Sequence, residues 1–279
     1  MMLRQVLSLA LAATTAGLTG LSATPAETTR TVFISLVDSK GAAVTDLTAE
    51  ELTVKEGGKD VKIAKLEPAT EPMDIVMLVD DGGTGAYQAG VLQFLQAMMG
   101  KAKFSISQFS PQAVKLVENT DDVATIQTAL DKLGPRGKIQ TQGQQMVEAI
   151  DVAAKALKQR NAVRPVIQVL TLSGGQSDNP DFVMRTLQST GVMLNVVHLQ
   201  NADIGQVLGD GPRQSGGRIE QIGAATAIPR AVTKMTESLL HQYQLTYTLP
   251  DGVKPSDRLT VATTRKGVSL GAPTRIPDK

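Results

Sequence analysis

The sequence predicts an α/β protein built on a doubly wound, mostly parallel sheet, with a small β module contributed by its terminal segments. Residues 74–79, 166–172 and 192–199 form three largely apolar runs, as is typical of strands buried on both faces. Segments with helical periodicity separate these runs, and strands that alternate with helices indicate a parallel sheet with right-handed crossovers. At both ends of the chain the period changes to two, which indicates half-buried strands.

The N-terminal β segment shows its period in residues 31–36, where apolar and polar side chains alternate before a turn at residues 38–41. Residues 52–63 read as a hairpin around a turn that contains two consecutive glycines, and residues 67–72 read as a linker. Two further strands are expected near the C-terminus, within residues 245–263. We expect these terminal segments to pair with each other, so that the α/β domain is inserted into one β module.

The central region carries the helices. The turn after residue 79 leads into a helix whose apolar face comprises Val91, Phe94, Leu95 and Met98. A strand is expected at residues 104–109, and further helices are expected at residues 122–133, 144–158, 181–187 and 228–243. The last of these helices would have a core face made of Val232, Met235, Leu239 and Tyr243. Residues 201–216 contain four glycines and show no recognisable secondary structure, so they are expected to form a long loop that is either a recognition element or mobile.

The composition excludes several classes of function. The 279 residues include 28 Lys and Arg, 27 Asp and Glu, two His, no Cys and no Trp. The near-zero charge argues against nucleic-acid binding, and the few aromatic residues could not stack single-stranded bases. Two distant histidines and no thiol exclude the usual zinc sites, iron–sulfur clusters, cysteine nucleophiles and disulfides.

Residues 1–26 predict export. One basic residue, Arg4, precedes an apolar run at residues 6–21, and small residues follow at 23–26; this is the pattern of a secretory signal peptide. An uncleaved membrane anchor is the alternative, but the run is short and diluted for a spanning helix, which needs about 20 apolar residues. No membrane span is expected after cleavage, and the protein would be periplasmic or secreted.

The predicted domain organisation follows from these patterns. It comprises a signal peptide at 1–26, an N-terminal β segment at 27–70, the α/β domain at 71–242 and a C-terminal β segment at 243–279.

The glycine-rich turn at residues 80–85 follows a predicted buried strand, where ligands of open parallel sheets bind. A dinucleotide site is disfavoured, because Gln88 stands in place of the third glycine of the phosphate-binding turn and no acid follows the next strand. Residues 172–176, Leu-Ser-Gly-Gly-Gln, match the signature of ABC ATPases, but the chain has no phosphate-cradling GxxxxGK[ST] loop.

Unlike the dinucleotide and ABC ATPase interpretations, one further family resemblance accounts for all the glycine-rich turns together. Four segments of the chain resemble the von Willebrand factor type A-related proteins that are abundant in Acidobacteria. They are the pattern Asp80-x-Gly82-x-Thr84 after a strand, residues 37–59, Gly216-Gly217-Arg218 and residues 241–247. The resemblance covers nearly the whole chain after residue 26 and implies a Rossmann-like fold. It also implies a metal-ion-dependent adhesion site, in which a DxSxS turn, a threonine and an aspartate from three loops hold one divalent cation.

The first part of that motif is only partly present. Asp80 matches the first aspartate and Thr84 conservatively matches the second serine, whereas Gly82 replaces the first serine.

The other two ligand positions also depart from the family. The second-loop threonine position falls on Gln144, and Thr141 could replace it only if the loop shifts. Gly174 occupies the position of the third-loop aspartate, and Asp178 follows four residues later. A site that has lost an anionic ligand and a hydroxyl should bind Mg²⁺ poorly. We therefore expect a degenerate site and no cofactor, with weak Mg²⁺ binding as the alternative.

No other residues indicate catalysis. His198 and His241 fit ordinary core or surface positions, and Ser173 lacks the GxSxG elbow of serine hydrolases. The sequence therefore predicts a protein that is not an enzyme.

The functional expectation is an exported protein-binding module, used in the cell envelope or outside the cell and independent of metal. The binding face would be the strand-end face formed by residues 80–86, 140–144 and 173–180. Its candidate contact residues are Asp80, Asp81, Thr84, Gln144, Ser173 and Asp178. An envelope scaffold protein whose β module carries the binding is the alternative, and a Mg²⁺-dependent adhesion domain is a further one.

Overall fold

A computed structural model describes residues 28–109, 113–135, 143–250 and 252–277, with the backbone alone described at 143 and 144. The predicted signal peptide at residues 1–26 and Thr141 lie outside these ranges. Within them, no helix is both long enough and apolar enough to span a membrane.

Thirteen strands and six α-helices make up the described fold. The strands are β1 (Thr29–Asp38), β2 (Leu52–Glu56), β3 (Lys59–Asp60), β4 (Lys62–Pro68), β5 (Met73–Asp80), β6 (Ala102–Gln108), β7 (Val114–Thr120), β8 (Arg164–Thr171), β9 (Met193–Leu199), β10 (Ile219–Ile222), β11 (Tyr243–Thr248), β12 (Leu259–Thr263) and β13 (Val268–Gly271). The helices are α1 (Gln88–Met98), α2 (Val123–Asp131), α3 (Gly143–Gln159), α4 (Pro180–Thr190), α5 (Gly205–Ser215) and α6 (Ile228–Leu240).

The central sheet has the strand order β10-β9-β8-β5-β6-β7. All neighbours are parallel except β6 and β7, which are antiparallel. One face packs against α1, α2 and α6, and the other packs against α3, α4 and α5. The predicted α/β fold, doubly wound on a mostly parallel sheet, is confirmed; β7 and β10 are strands that the sequence did not reveal.

Helix ends follow local chemistry. Asp122 caps the N-terminus of α2, because its carboxylate accepts a hydrogen bond from the Thr125 N–H at 2.8 Å. At α4, the Asn179 side chain caps the N-terminus and Gly191 ends the helix in a left-handed conformation. The apolar face predicted for α1 is buried.

The loop prediction for residues 201–216 is wrong. Most of this segment forms α5, in which Val207 and Leu208 are buried against the sheet. Glycine and proline lower helix propensity, but tertiary packing overrides it here. Gly211 lies so close to Leu194 that a Cβ would meet its side chain at 2.8 Å, so this glycine permits close packing of the helix on β9.

The predicted helical position of Tyr243 is also wrong. Helix α6 ends at Leu240, and Tyr243 begins β11, where it pairs with Ile34. The Tyr243 hydroxyl accepts a hydrogen bond from the Leu47 N–H at 3.1 Å and donates to the Val44 carbonyl at 3.2 Å. Cross-strand contacts therefore decide the conformation of this residue.

The terminal segments form two small sheets that share one apolar core. One sheet has the order β13-β1-β11-β4 and the other has the order β12-β2-β3, so the predicted pairing between the terminal segments is present. The predicted hairpin is only partly correct: β2 and β3 pair, but β4 leaves this sheet and pairs with β11. The proposed domain boundaries stay predictions.

The chain passes between the β module and the central sheet twice, and Arg164 at the start of β8 forms hydrogen bonds to both connecting segments. Its Nη1 donates to the carbonyls of Ala69 and Glu71 at 3.4 and 2.7 Å, within the predicted linker. Its Nη2 donates to the Leu239 carbonyl at 3.0 Å and to the Gln242 side chain at 2.8 Å. The first two residues of that predicted linker belong to β4, so the crossing is short and anchored.

Candidate functional site

The candidate site lies where the neighbouring strands β5, β8 and β9 end at the carboxyl edge of the sheet. Asp80, Thr171 and His198 are aligned across these three strands. All three side chains are buried. Register thus places a carboxylate, a hydroxyl and an imidazole along one edge.

Asp80 is held from the neighbouring loop. Its Oδ2 accepts a hydrogen bond from the Ser173 hydroxyl at 2.5 Å, and its Oδ1 accepts one from the Gly82 N–H at 3.4 Å. Ser173 is itself oriented by Thr171, whose Oγ1 accepts from the Ser173 N–H at 3.0 Å. The Asp80 carboxylate therefore takes part in the internal bonding of the strand ends.

Asp81 organises the glycine-rich turn. Its two carboxylate oxygens accept hydrogen bonds from the N–H groups of Gly83 and Gly85 at 2.7 and 2.8 Å. Both glycines have positive φ, 68° and 74°, which disfavours residues with a Cβ. The Asp81 side chain is 1% exposed, so it acts as the anchor of the turn.

Thr84 is exposed at the tip of this turn. Its hydroxyl donates to the Asp81 carbonyl at 2.7 Å and accepts from the Ala86 N–H at 3.2 Å. The Thr84 hydroxyl therefore forms its hydrogen bonds within the turn.

The loop after β8, which contains Gly174, packs against the chain that follows β9. A Cβ at Gly174 would collide with the carbonyl oxygen of Asp203. The same carbonyl accepts a hydrogen bond from the Gly175 N–H at 3.0 Å, and the Gln176 side chain donates to the Asp203 carboxylate at 2.5 Å. The backbone at residue 203 therefore fills the space that a side chain at 174 would enter.

Two predicted contact residues lie on the neighbouring segments. Asp178 is exposed on the loop that leads to α4, and Gln144 lies in the first turn of α3, where only the backbone is described. The structure thus brings together Asp80, Asp81, Thr84 and Ser173. Because Asp80 and Asp81 are buried, their predicted role as direct partner contacts is not supported in this conformation.

The domain that carries this site matches a known family. Residues 71–176 match the family model described as von Willebrand factor type A domain. The chain contains a von Willebrand factor type A-like domain. No curated protein matched the chain.

One of three similar solved structures supports the same fold, a von Willebrand factor type A protein with a TM-score above 0.5. A von Willebrand factor type A protein from Catenulispora acidiphila superposes with a TM-score of 0.51 at 9% identity, covering 90% of this chain and 74% of that chain. Proximal thread matrix protein 1 from the mussel byssus gives 0.46 at 12% identity, covering 66% and 49%. The chain therefore spans about half the length of that mussel protein. Manganese-loaded TRAP protein from Plasmodium vivax gives 0.42 at 11% identity, covering 75% and 96%.

The described residues do not fit the divalent-cation site that the von Willebrand family implies. The Asp80 carboxylate and the Thr84 hydroxyl are engaged in internal bonds, and the space beside Gly174 is filled. Within the described ranges, no group of three or more His, Asp or Glu residues could hold a metal ion. Hard cations need several oxygen ligands to offset dehydration, and this arrangement does not supply them.

Two buried residues beside the turn were not predicted as part of the site. The Tyr87 hydroxyl donates to the Thr171 carbonyl at 2.9 Å, and burial together with the charges of Asp81 and Asp80 raises the pKa of Tyr87. His198 Nδ1 donates to the Leu199 carbonyl at 2.8 Å, while its Nε2 has no hydrogen-bond partner among the described residues. Burial lowers the pKa of His198. The signal for both was weak, since an isolated Tyr or His in an apolar segment reads as a core residue.

Proposed function

We propose that this protein is an exported, non-enzymatic module that binds a protein partner through the strand-end face of its von Willebrand domain without a metal ion. Von Willebrand type A domains commonly bind proteins. The observation that carries the metal-free proposal is the closure of the site: the Asp203 carbonyl blocks a side chain at position 174, and Ser173 donates to Asp80.

The partner would contact the exposed part of this face. Thr84, Gln176 and Asp178 are exposed, whereas Asp80 and Asp81 are buried beneath them. Two short loops held by mutual hydrogen bonds present these side chains, and a rigid surface loses little conformational entropy on binding. Buried Asp81 thus supports the face rather than forming contacts.

Export is proposed from the charge and hydropathy pattern of residues 1–26. It would place the binding event in the periplasm or outside the cell. A chain with no cysteine requires no disulfide chemistry in either compartment.

The test compares Asp178→Arg with a matched reversal, Asp60→Arg, at an exposed position in β3 of the β module. Purified wild type and both variants are immobilised and exposed to an extract of the source cell envelope, with and without a chelator. We expect wild type and Asp60→Arg to retain the same proteins in both conditions, and Asp178→Arg to lose them. Retention of identical proteins by Asp178→Arg would rule out this face, and loss of retention with chelator would rule out metal independence.

A further inference from the structure

The terminal strands of two sheets border one open groove. Among the described strands, β10 pairs with β9 alone and β13 pairs with β1 alone. Between them and α5 lies a groove of about 440 Å³, here called the edge groove. Its lining includes Pro212, Arg213, Ile219, Gln221, Ser269 and Leu270. None of these residues belongs to the strand-end face.

The backbone of β10 leaves hydrogen-bonding groups free on the groove side. The carbonyls of Arg218 and Ile222 accept hydrogen bonds at 2.9 Å from the N–H groups of Val196 in β9 and Gln200 directly after it. Because successive residues of a strand direct their backbone groups to opposite sides, the N–H and C=O groups of Ile219 and Gln221 point away from β9. This free edge can pair with another extended segment.

The side chains add an apolar contact. Ile219 is one of the few large apolar residues of the described chain that is exposed, at 36%, and Leu270 and Ile204 lie half-buried along the same groove. An exposed apolar side chain on a free strand edge would be covered by a paired strand. The occupant therefore needs apolar residues at alternate positions.

The positive charge of the groove lining favours an acidic ligand. Arg213 and Arg218 line the groove, and its lining includes no Asp or Glu. Arg213 pairs only with Asp210 among the described residues, and both side chains are exposed, so this ion pair is weak and easily exchanged. The Nε of Arg218 has no hydrogen-bond partner in the described chain, and its Nη2 lies 3.9 Å from the Glu220 carboxylate, beyond hydrogen-bond distance. A carboxylate entering the groove would meet two guanidinium groups.

We propose that the edge groove binds an extended acidic peptide, which adds a strand to the free edge of β10. The peptide backbone pairs with Ile219 and Gln221, its apolar side chains cover Ile219, and its carboxylates contact Arg213 and Arg218. In this mode main-chain hydrogen bonds supply affinity and alternate side chains supply specificity. The protein would then have a second interaction surface, separate from the strand-end face.

The test uses a fluorescent peptide that alternates valine and glutamate, titrated against the full chain by fluorescence anisotropy. Two controls change one property each: a valine–glutamine peptide removes the charge, and a peptide N-methylated at alternate residues removes backbone pairing. We expect saturable binding of the valine–glutamate peptide and about tenfold weaker binding of each control, as for the loss of charged or backbone hydrogen bonds.

Protein variants locate the site. Ile219→Pro removes the outward N–H but leaves the ladder with β9 intact, and Ile219→Val is its conservative control. Arg213→Ala changes an exposed side chain and serves if the proline variant fails to fold. We expect Ile219→Pro and Arg213→Ala to bind about tenfold more weakly and Ile219→Val to bind as wild type.

Three results would overturn the proposal. They are no saturable binding of the valine–glutamate peptide, equal affinity for all three peptides, or self-association of the wild type in sedimentation experiments that Ile219→Pro abolishes. The last result would assign the free edge to a second copy of the chain.

Discussion

The Ser173 hydroxyl donates a hydrogen bond to Oδ2 of Asp80 across 2.5 Å, and this bond joins the loop after β8 to the end of β5. The acceptor carboxylate is buried, and Ser173 supplies one of its hydrogen-bond donors. Asp80, which the family resemblance implies as a metal ligand, is bonded here within the protein.

Replacing Ser173 with alanine should destabilise the protein. The change removes one donor from the Asp80 carboxylate, and a lost bond to a buried charged group costs about 1–3 kcal/mol. Urea unfolding measures the difference, and Ser173→Thr, which keeps a hydroxyl, should unfold closer to wild type. Equal stability of the alanine variant and wild type would show that this bond adds nothing to folding.

Divalent cations should leave the thermal stability unchanged. A ligand that binds only the folded state raises the melting temperature, and the described residues lack a set that could hold the ion. Melting curves with Mg²⁺, Mn²⁺ or a chelator should therefore coincide. A metal-dependent shift that Asp80→Ala abolishes would establish a cation site.

Gly174→Ala should destabilise the protein, because the added Cβ would collide with the Asp203 carbonyl. Overpacking of this kind typically costs about 1–3 kcal/mol. Gly223→Ala is the matched control, since its Cβ would lie 3.8 Å from the Gln200 side chain, an ordinary contact. The two variants are compared by urea unfolding, and similar stabilities would mean that the loop at 203 moves aside without cost.

Stability should fall as the pH drops through the range in which free histidine titrates. Burial lowers the pKa of His198, so below about pH 6.5 the unfolded chain binds a proton that the folded chain resists. The contribution is fully present above that pH and is lost towards acid. Unfolding free energies at pH 7 and pH 5 should show a smaller decline in His198→Leu than in wild type.

Arg164→Lys should destabilise the junction between the β module and the central sheet. A lysine keeps the charge but cannot hold four acceptors in the planar arrangement that Arg164 uses. With charged hydrogen bonds worth about 1.5–3 kcal/mol each, we expect a loss of at least ~2 kcal/mol. Urea unfolding measures it, with the exposed Arg185→Lys as the control. Unchanged stability would show that the hydrogen bonds of Arg164 do not stabilise the junction between the β module and the central sheet.

The sequence predicted most of the fold because burial patterns are local. Near-continuous apolar runs located β5, β8 and β9, and the apolar stripe of α1 was readable from four residues. The failures lie where tertiary contacts override local preference. Helix α5 forms despite its glycines because it packs on β9, and Tyr243 joins β11 because its hydroxyl finds partners at Val44 and Leu47.

The candidate site was predicted only in outline. The motif residues Asp80 and Thr84 and the replaced ligand position at Gly174 were visible in the sequence. What holds them was not, because Ser173 lies 93 positions from Asp80 and Asp203 lies 29 positions from Gly174. Burial of Asp80 and Asp81 likewise depends on loops that come together only in the folded chain.

The sequence by itself determined the alternation of strands and helices and the pairing expected of its terminal segments, because side-chain type and spacing act locally. The incomplete ligand set inferred from it stays a prediction. Only the tertiary structure decided how the strand-end carboxylates are used and where a free sheet edge is exposed. Hydrogen bonds and close contacts between distant segments set both. In this fold, Ser173 and the Asp203 carbonyl occupy the positions around Asp80 and Gly174, while β10 has a partner on one side only among the described strands.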